Sequence, residues 1–247
     1  MPDFLPNLYG VSLAAGILVS YILAVKNAPR FYIARVVVEN ALPYLVLAGF
    51  VGARLYYVLF SAHWHYFLAY PAEILAFWHG GIAIYGAILG GGAAAVIYAK
   101  TKRIGVMNIL NLFALALPLG QAIGRFGNYF NQEAFGEPTA LPWKIYIAPQ
   151  FRPFPYLDFQ YFHPTFLYEA VWDVLIFLIL WRLAKRQTAI FGVYLILYGL
   201  GRFFIEGIRL DSFFILNFRV DQLVSLLAML GGAAVLLAMR KYEQSPA

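Results

Sequence analysis

The chain is 247 residues long, 62% hydrophobic and 12% charged, whereas soluble domains run near 45–50% apolar and about 25% charged. That balance excludes a water-soluble fold and disorder, and the lack of any period excludes fibrous repeats. The net charge of +6 does not point to nucleic acid, because most basic residues follow apolar runs instead of clustering on a polar face. No cysteine is present, so disulfides, thiolate metal sites and a cysteine nucleophile are ruled out, and thiol chemistry needs a thiol brought by a substrate.

Met1 to Leu8 lacks the basic stretch of a signal peptide, so the first apolar run is expected to stay as a helix. Seven runs of 17 to 20 residues carry little or no charge: Leu8–Val25, Ala41–Phe60, Ile82–Ala99, Ile104–Ile123, Phe166–Leu183, Ala189–Ile205 and Leu223–Met239. A spanning helix takes about 20 residues. The expected fold is an all-α polytopic membrane protein of about seven transmembrane helices, a single domain over 1–247. Gly86/Gly90, Gly120/Gly124 and Gly90-Gly91-Gly92 predict close helix contacts.

Lysine and arginine fix the expected orientation. Lys26, Arg30 and Arg35 follow the first run; Lys100, Lys102 and Arg103 the third; Arg182, Lys185 and Arg186 the fifth; Arg240 and Lys241 the seventh. These alternate loops hold 11 of the 18 basic residues. The opposite side carries Asp3, Glu73, Glu137, Asp158 and Asp221. The N-terminus is expected outside and the C-terminus in the cytoplasm. The stretch 137–162, with Pro138, Trp143, Tyr146, Phe151 and Phe154, is too polar to span and predicts a small extracytoplasmic cap resting on the membrane.

Charge at bilayer depth costs several kcal/mol and lines a polar cavity or pairs. Arg54, Arg125, Glu133, Glu169, Asp173, Arg202 and Glu206 sit at that depth, with Arg209 close behind. Tyr194, Tyr198, Arg202, Glu206 and Arg209 draw one helical stripe in which Arg202 and Glu206 pair at i, i+4, leaving Arg209 as excess positive charge. Glu169 and Asp173, one turn apart, either bond neighbouring helices or answer Arg54. The stretch Gly124–Gly136 packs three glycines, two asparagines, a glutamine and two charges, which predicts broken or left-handed backbone around a wet cavity with Arg125 projecting into it. His79-Gly80-Gly81 with Tyr85-Gly86, and His163-Pro164-Thr165 with Tyr168-Glu169, open the third and fifth runs. His63 and His65 are expected to be structural. Together these describe an arginine-lined cavity near the outer leaflet, suited to an anionic phospholipid headgroup. No metal-binding motif stands out.

Gly124, Arg125, Gly127, Asn128, Asn131, Glu133 and Gly136 fill every fixed position of G-R-x-G-N-x-x-N-x-E-x-x-G, the signature of bacterial prolipoprotein diacylglyceryl transferases, and the chain is identified as resembling that family. Leu8-Tyr9-Gly10, Trp78–Gly86, the block from His163 to Glu169 and the block from Gly201 to Glu206 resemble the family's other blocks, in its order, and the seven-span topology resembles its own. The resemblance implies a bacterial inner-membrane transferase of lipoprotein biosynthesis, with its active site toward the outer leaflet. Its partners would be phosphatidylglycerol and prolipoproteins bearing a lipobox cysteine. A diacylglyceryl group moves to that cysteine's thiol, a thioether forms and glycerol phosphate leaves; no cofactor is implied.

Under that resemblance Arg125 and Arg202 are expected to hold the phosphate and Glu206 to orient Arg202. Asn128 donates to phosphate or glycerol hydroxyls, and Glu133 anchors the loop or binds the headgroup glycerol. Tyr9, Gly136 and Arg209 complete the lipid site. Some relatives carry a proposed histidine base where this chain has Tyr85. Either Tyr85 only positions a thiol whose pKa the arginines depress, or His79 or Glu133 takes the proton; His163 is a further candidate for base or orienting group. Asn111 is another departure, since some relatives have an acid there. The competing reading is a transporter or flippase for anionic lipids, which predicts inverted repeats that the sequence lacks. An intramembrane protease is disfavoured because neither H-E-x-x-H nor G-x-S-x-G occurs.

Overall fold

Every apolar run becomes a helix. The computed structural model describes residues 7–61, 64–186 and 189–244, so Asp3 and His63 lie outside the described residues. The helices are α1 (Leu8–Asn27), α2 (Arg35–Phe60), the short α3 (Trp64–Ala69), α4 (Ile84–Thr101), α5 (Val106–Asn131), α6 (Thr165–Leu183), α7 (Ile190–Glu206) and α8 (Val220–Gln244). Two antiparallel hairpins accompany them: β1 (Ile145–Tyr146) with β2 (Tyr161–Phe162), and β3 (Phe214–Ile215) with β4 (Phe218–Arg219).

Among the described residues, five helices are long and apolar enough to cross a membrane, namely α1, α2, α4, α5 and α8. In α6, Glu169, Asp173 and Arg182 interrupt the apolar run, and α7 is only 17 residues long. The protein is a multi-pass, helical membrane protein.

The chain forms two compact units, Met1–Ala24 with Asn111–Ala247, and Val25–Leu110. In the first, α1 crosses α5 where Gly16 meets Gly120; a Cβ on Gly16 would lie 2.5 Å from the Gly120 carbonyl oxygen. Tyr194 donates to Gln121 Oε1 at 3.1 Å, Asn111 Oδ1 accepts the Phe191 N–H at 2.9 Å, and the Trp172 indole donates to the Leu197 carbonyl at 2.9 Å. These bonds tie α7 to α5 and α6. Asn111 therefore caps an orphan N–H in the first turn of α7.

The cap expected at 137–162 has its own small core of Phe135, Ile147 and Phe162, with Ile145, Tyr156 and Leu210 packed against it. Arg152 fastens it from inside, donating to the Ile147 and Leu157 carbonyls. Trp143 and Phe154 stay exposed, as aromatics at a headgroup interface do.

In the second unit, α2 and α4 touch backbone to backbone: a Cβ on Gly52 would lie 3.0 Å from Gly90 Cα, and Gly86 presses on the Gly52 carbonyl. Gly86, Gly90 and Gly120 thus make the close contacts their spacing predicts, whereas Gly92 and Gly124 have nothing within 4 Å of a built Cβ. Arg54 corrects the sequence reading. It spends every donor within its own unit: buried on α2, it donates all five N–H groups to carbonyls of Glu73, Ile74, Ala76, Gly80 and Gly81 at 2.5–3.3 Å. A guanidinium offers five donors in a fixed fork, and this loop supplies five acceptors for them. His65 stacks on Trp64, with ring centroids 3.6 Å apart.

Candidate active site

The first unit gathers several of the charges singled out in and beside the apolar runs around one carboxylate. Glu169, one turn into α6 and 5% exposed, meets three guanidiniums. Its Oε2 pairs with Arg125 Nη2 of α5, and its Oε1 accepts from Arg202 Nη1 of α7 at 2.5 Å and from Arg209 Nη1 at 2.9 Å. Arg202 Nη2 also pairs with Glu206 Oε2 at 2.8 Å and with Asp221 Oδ2 on the first turn of α8. Arg209 grips Asp211 with two bonds, Nε to Oδ1 at 2.9 Å and Nη2 to Oδ2 at 2.6 Å.

The stripe drawn on the sixth run is therefore real, and the Arg202–Glu206 pair forms as its spacing predicts. The expectation of excess positive charge is overturned: Arg209 is matched by Glu169, Asp211 and Glu206. The reason is desolvation, since a guanidinium taken out of water is tolerated only beside a carboxylate or comparable acceptors. Asp173 lies one turn deeper on α6, 2% exposed, and its Oδ2 has no hydrogen-bond partner among the described residues. Arg125 is the guanidinium with donors to spare. Among the described residues its ion pairing is with Glu169 alone, and its side chain is 22% exposed against 13% for Arg202 and 10% for Arg209.

Beyond the end of α7, the pair Arg209–Asp211 has a clear electrostatic balance. Burial pushes the Asp211 carboxyl up, but the hydrogen bonds and positive charge of Arg209 outweigh it and hold the group below its ordinary value. Burial likewise pulls Arg209 down, and the Asp211 bond together with the charges of Glu169, Asp211 and Glu206 raises it instead.

The glycine- and asparagine-rich stretch departs from the predicted broken backbone. Helix α5 runs unbroken through Gly124, Arg125, Gly127 and Asn128 to Asn131. The chain turns at Gln132 and Ala134, with φ of 51° and 55°, and the signature glycines are not left-handed. Their role is space. A Cβ on Gly127 would sit 2.9 Å from the Tyr9 ring, and one on Gly136 would sit 2.7 Å from the Ile208 carbonyl and 3.0 Å from His163 Cβ. Gly127 thus lets α1 bring Tyr9 close against α5. Gly136 lets the Arg209 turn bridge the signature's end. Asn128 Nδ2 donates to Glu133 Oε1 at 2.8 Å while the Glu133 N–H returns to the Asn128 carbonyl at 3.0 Å. Asn128 is thus committed, in part, to holding Glu133.

His163 belongs to the seam between cap and α6. Its Nδ1 lies 3.0 Å from the Tyr168 hydroxyl, which accepts the Trp143 indole N–H at 2.8 Å, and its backbone bonds Glu137 and Gly136. Tyr85 and His79 belong to the second unit. The Tyr85 hydroxyl is buried without a hydrogen-bond partner among the described residues, and His79 Nδ1 lies 2.8 Å from Glu73 Oε2. Glu169 bonds neighbouring helices, one of the two roles its position allows. Sequence reasoning misses two participants: Asp221 stands among the acids that only mark orientation, and Asp211 sits in a segment with no periodic cue.

Two cavities flank the cluster. One of about 560 Å³ is lined by Asn131, Glu133, Phe135, Phe151, Leu210 and Asp211. The other, about 600 Å³ and almost wholly apolar, lies between α6 and α7 beside Val171, Trp172, Leu175, Gly201 and Phe204.

Residues 2–238 match the family model described as prolipoprotein diacylglyceryl transferase. Similar curated proteins carry the name phosphatidylglycerol–prolipoprotein diacylglyceryl transferase. The protein of Fervidobacterium nodosum is 45% identical over 232 residues, covering 92% of this chain and 78% of that one. That of Synechococcus elongatus is 44% identical over 233 residues, covering 91% and 80%. That of Thermotoga maritima is 41% identical over 242 residues, covering 96% and 82%. With a match that runs almost from end to end and every signature position filled, the chain belongs to the prolipoprotein diacylglyceryl transferase family.

Proposed function

We infer that this chain is a phosphatidylglycerol–prolipoprotein diacylglyceryl transferase that catalyses the first step of lipoprotein maturation. The observation that carries the mechanism is the convergence of Arg125, Arg202 and Arg209 from separate elements on Glu169. The thiol of the precursor's lipobox cysteine attacks the glycerol carbon that bears the phosphate ester. A C–S bond forms, the C–O bond breaks, and glycerol phosphate leaves with the electron pair; the thiol proton goes to a base. Charge on the departing phosphate rises towards two, so cations fixed in advance stabilise the transition state more than the ground state.

Arg125 makes the first phosphate contact, with Arg202 beside it, while the acids keep the guanidinium planes aligned. Glu206 and Asp221 orient Arg202, and Asp211 orients Arg209. Asn128 and Glu133 face the headgroup glycerol, with Tyr9 and Gly136 shaping its approach. The apolar cavity beside Gly201 and Phe204 suits a hydrocarbon chain of the same lipid. His163 orients the cap. Three groups stand as proton acceptor or thiol-positioning group: Glu133 on the arginine unit, and His79 and Tyr85 on the other.

Seven helices, α1, α2 and α4 to α8, cross the bacterial inner membrane, with the N-terminus and the 137–162 cap outside, the C-terminus in the cytoplasm and the arginines toward the outer leaflet. The alternation of basic loops supports this orientation. No nucleic acid takes part.

Purified protein in detergent, mixed with phosphatidylglycerol and a lipobox peptide, tests the reading by peptide mass. A gain of one diacylglyceryl group is expected. An unmodified peptide, together with lipid movement in vesicles, would instead make the chain a transporter. In the same assay across pH 6 to 9, Glu133→Gln, His79→Gln and Tyr85→Phe separate the three: a variant that keeps full turnover throughout has lost neither the proton acceptor nor the thiol-positioning group.

A further inference from the structure

Helix α7 ends at Glu206, and its last carbonyls need donors from outside the helix. The chain then turns tightly, with the Arg209 N–H bonding the Glu206 carbonyl at 3.2 Å, and runs into the β3–β4 hairpin. Arg219, the last residue of β4, folds back from that hairpin. Its Nη1 lies 2.5 Å from the Glu206 carbonyl oxygen, 2.7 Å from the Arg209 carbonyl oxygen and 2.7 Å from Ser212 Oγ. Two hydrogens thus serve three acceptors, and the Phe214 ring lies beneath the guanidinium at 5.3 Å. The two carbonyls that Arg219 joins belong to the very residues whose carboxylate and guanidinium enter the charge cluster. Among the described residues Arg219 pairs with no acid of the cluster; it acts on the backbone that carries two of its members.

We propose that Arg219 is a positioning residue for phosphatidylglycerol: by clamping the Glu206–Ser212 turn it holds Arg209 where its guanidinium reaches Glu169, and so sets the arginine spacing that receives the phosphate. Without the clamp, Glu206 and Arg209 keep their side chains but lose the fixed turn that aims them. The effect falls on the lipid substrate and spares the peptide. The proposal rests on the transferase reading above, and its test separates the two.

The experiment measures KM for phosphatidylglycerol and KM for the lipobox peptide, each at saturating co-substrate, with the melting temperature of the full chain in detergent, for wild type, Arg219→Gln and Arg219→Lys. For Arg219→Gln the lipid KM should rise about tenfold, the cost of losing charged hydrogen bonds, with peptide KM and melting temperature unchanged. Lysine keeps one charged donor at the root of the hairpin, so Arg219→Lys should fall between wild type and Arg219→Gln. If the glutamine variant does not fold, the lysine variant alone decides, by a raised or an unchanged lipid KM. Wild-type lipid KM in the variants, or both KM values rising in parallel with a lower melting temperature, overturns the positioning role. An inactive wild type overturns the transferase reading instead.

Discussion

Glu169 pairs with guanidiniums that arrive from three directions, and this makes it an expensive residue to remove. Glu169→Gln leaves buried cations short of their counter-charge, a loss of about 3–5 kcal/mol by comparison with other broken buried pairs. Arg125→Ala behaves differently. Its side chain is the most exposed of the three and pairs with Glu169 alone, so the fold should survive, while turnover in the peptide-mass assay falls at least about a hundredfold, as when one oxyanion donor is deleted. Asp211 gives a pH prediction. Its folded value lies below the ordinary 3.8, so its contribution is complete above that ordinary value and is lost only as the pH falls through the lower, folded one. Lipid KM should stay flat from pH 8 down to about pH 5 and rise only in stronger acid. Asp211→Asn should give a raised lipid KM already at neutral pH. At this scale the sequence disclosed the arginines, because a charge inside an apolar run stands out against its neighbours. It did not disclose two of their partners, Asp211 and Asp221, which lie in a loop and a first turn where an acid is unremarkable.

Helix α5 shows what glycine spacing can and cannot say. Composition around Gly124–Gly136 points to irregular backbone, and the helix instead continues to Asn131, with the turn falling on Gln132 and Ala134. Propensity is a weak prior that tertiary packing overrides: Gly127 stays within the helix, where Tyr9 takes the volume of a side chain, and Gly136 stands beyond it, where two backbones meet. The two sites should respond unequally to alanine. At Gly127 the neighbour is a ring that can swing aside, so Gly127→Ala should fold normally and raise lipid KM. At Gly136 the nearest atom is the Ile208 carbonyl oxygen, 2.7 Å from a new Cβ. Backbone cannot step aside cheaply, so Gly136→Ala should cost about 1–3 kcal/mol in thermal unfolding and lower turnover as well, since the Arg209 turn shifts with it. The helices themselves were legible because an apolar run of 17 to 20 residues has few alternatives. The cap was legible only as a location, since its core of Phe135, Ile147 and Phe162 joins residues far apart in one connection that has no periodic cue.

For the whole molecule, topology is the open test, and the chain is suited to it because it has no cysteine of its own. Single substitutions Thr139→Cys in the cap and Lys102→Cys after α4 should label oppositely with a membrane-impermeant maleimide. Intact cells lacking an outer membrane barrier should label the first, and the second should label only after permeabilisation; the reverse pattern would invert the proposed orientation. The division into two units was not legible from the apolar runs, because its boundaries fall inside α1 and α5 instead of in loops. The carboxylate at the hub of the arginines bears on turnover as a whole. Three bare cations would clutch a doubly charged leaving group and be poisoned by it. An anion that has to displace Glu169 to enter would be evicted when that glutamate returned to the three guanidiniums, so the proposed site would empty itself for the next lipid.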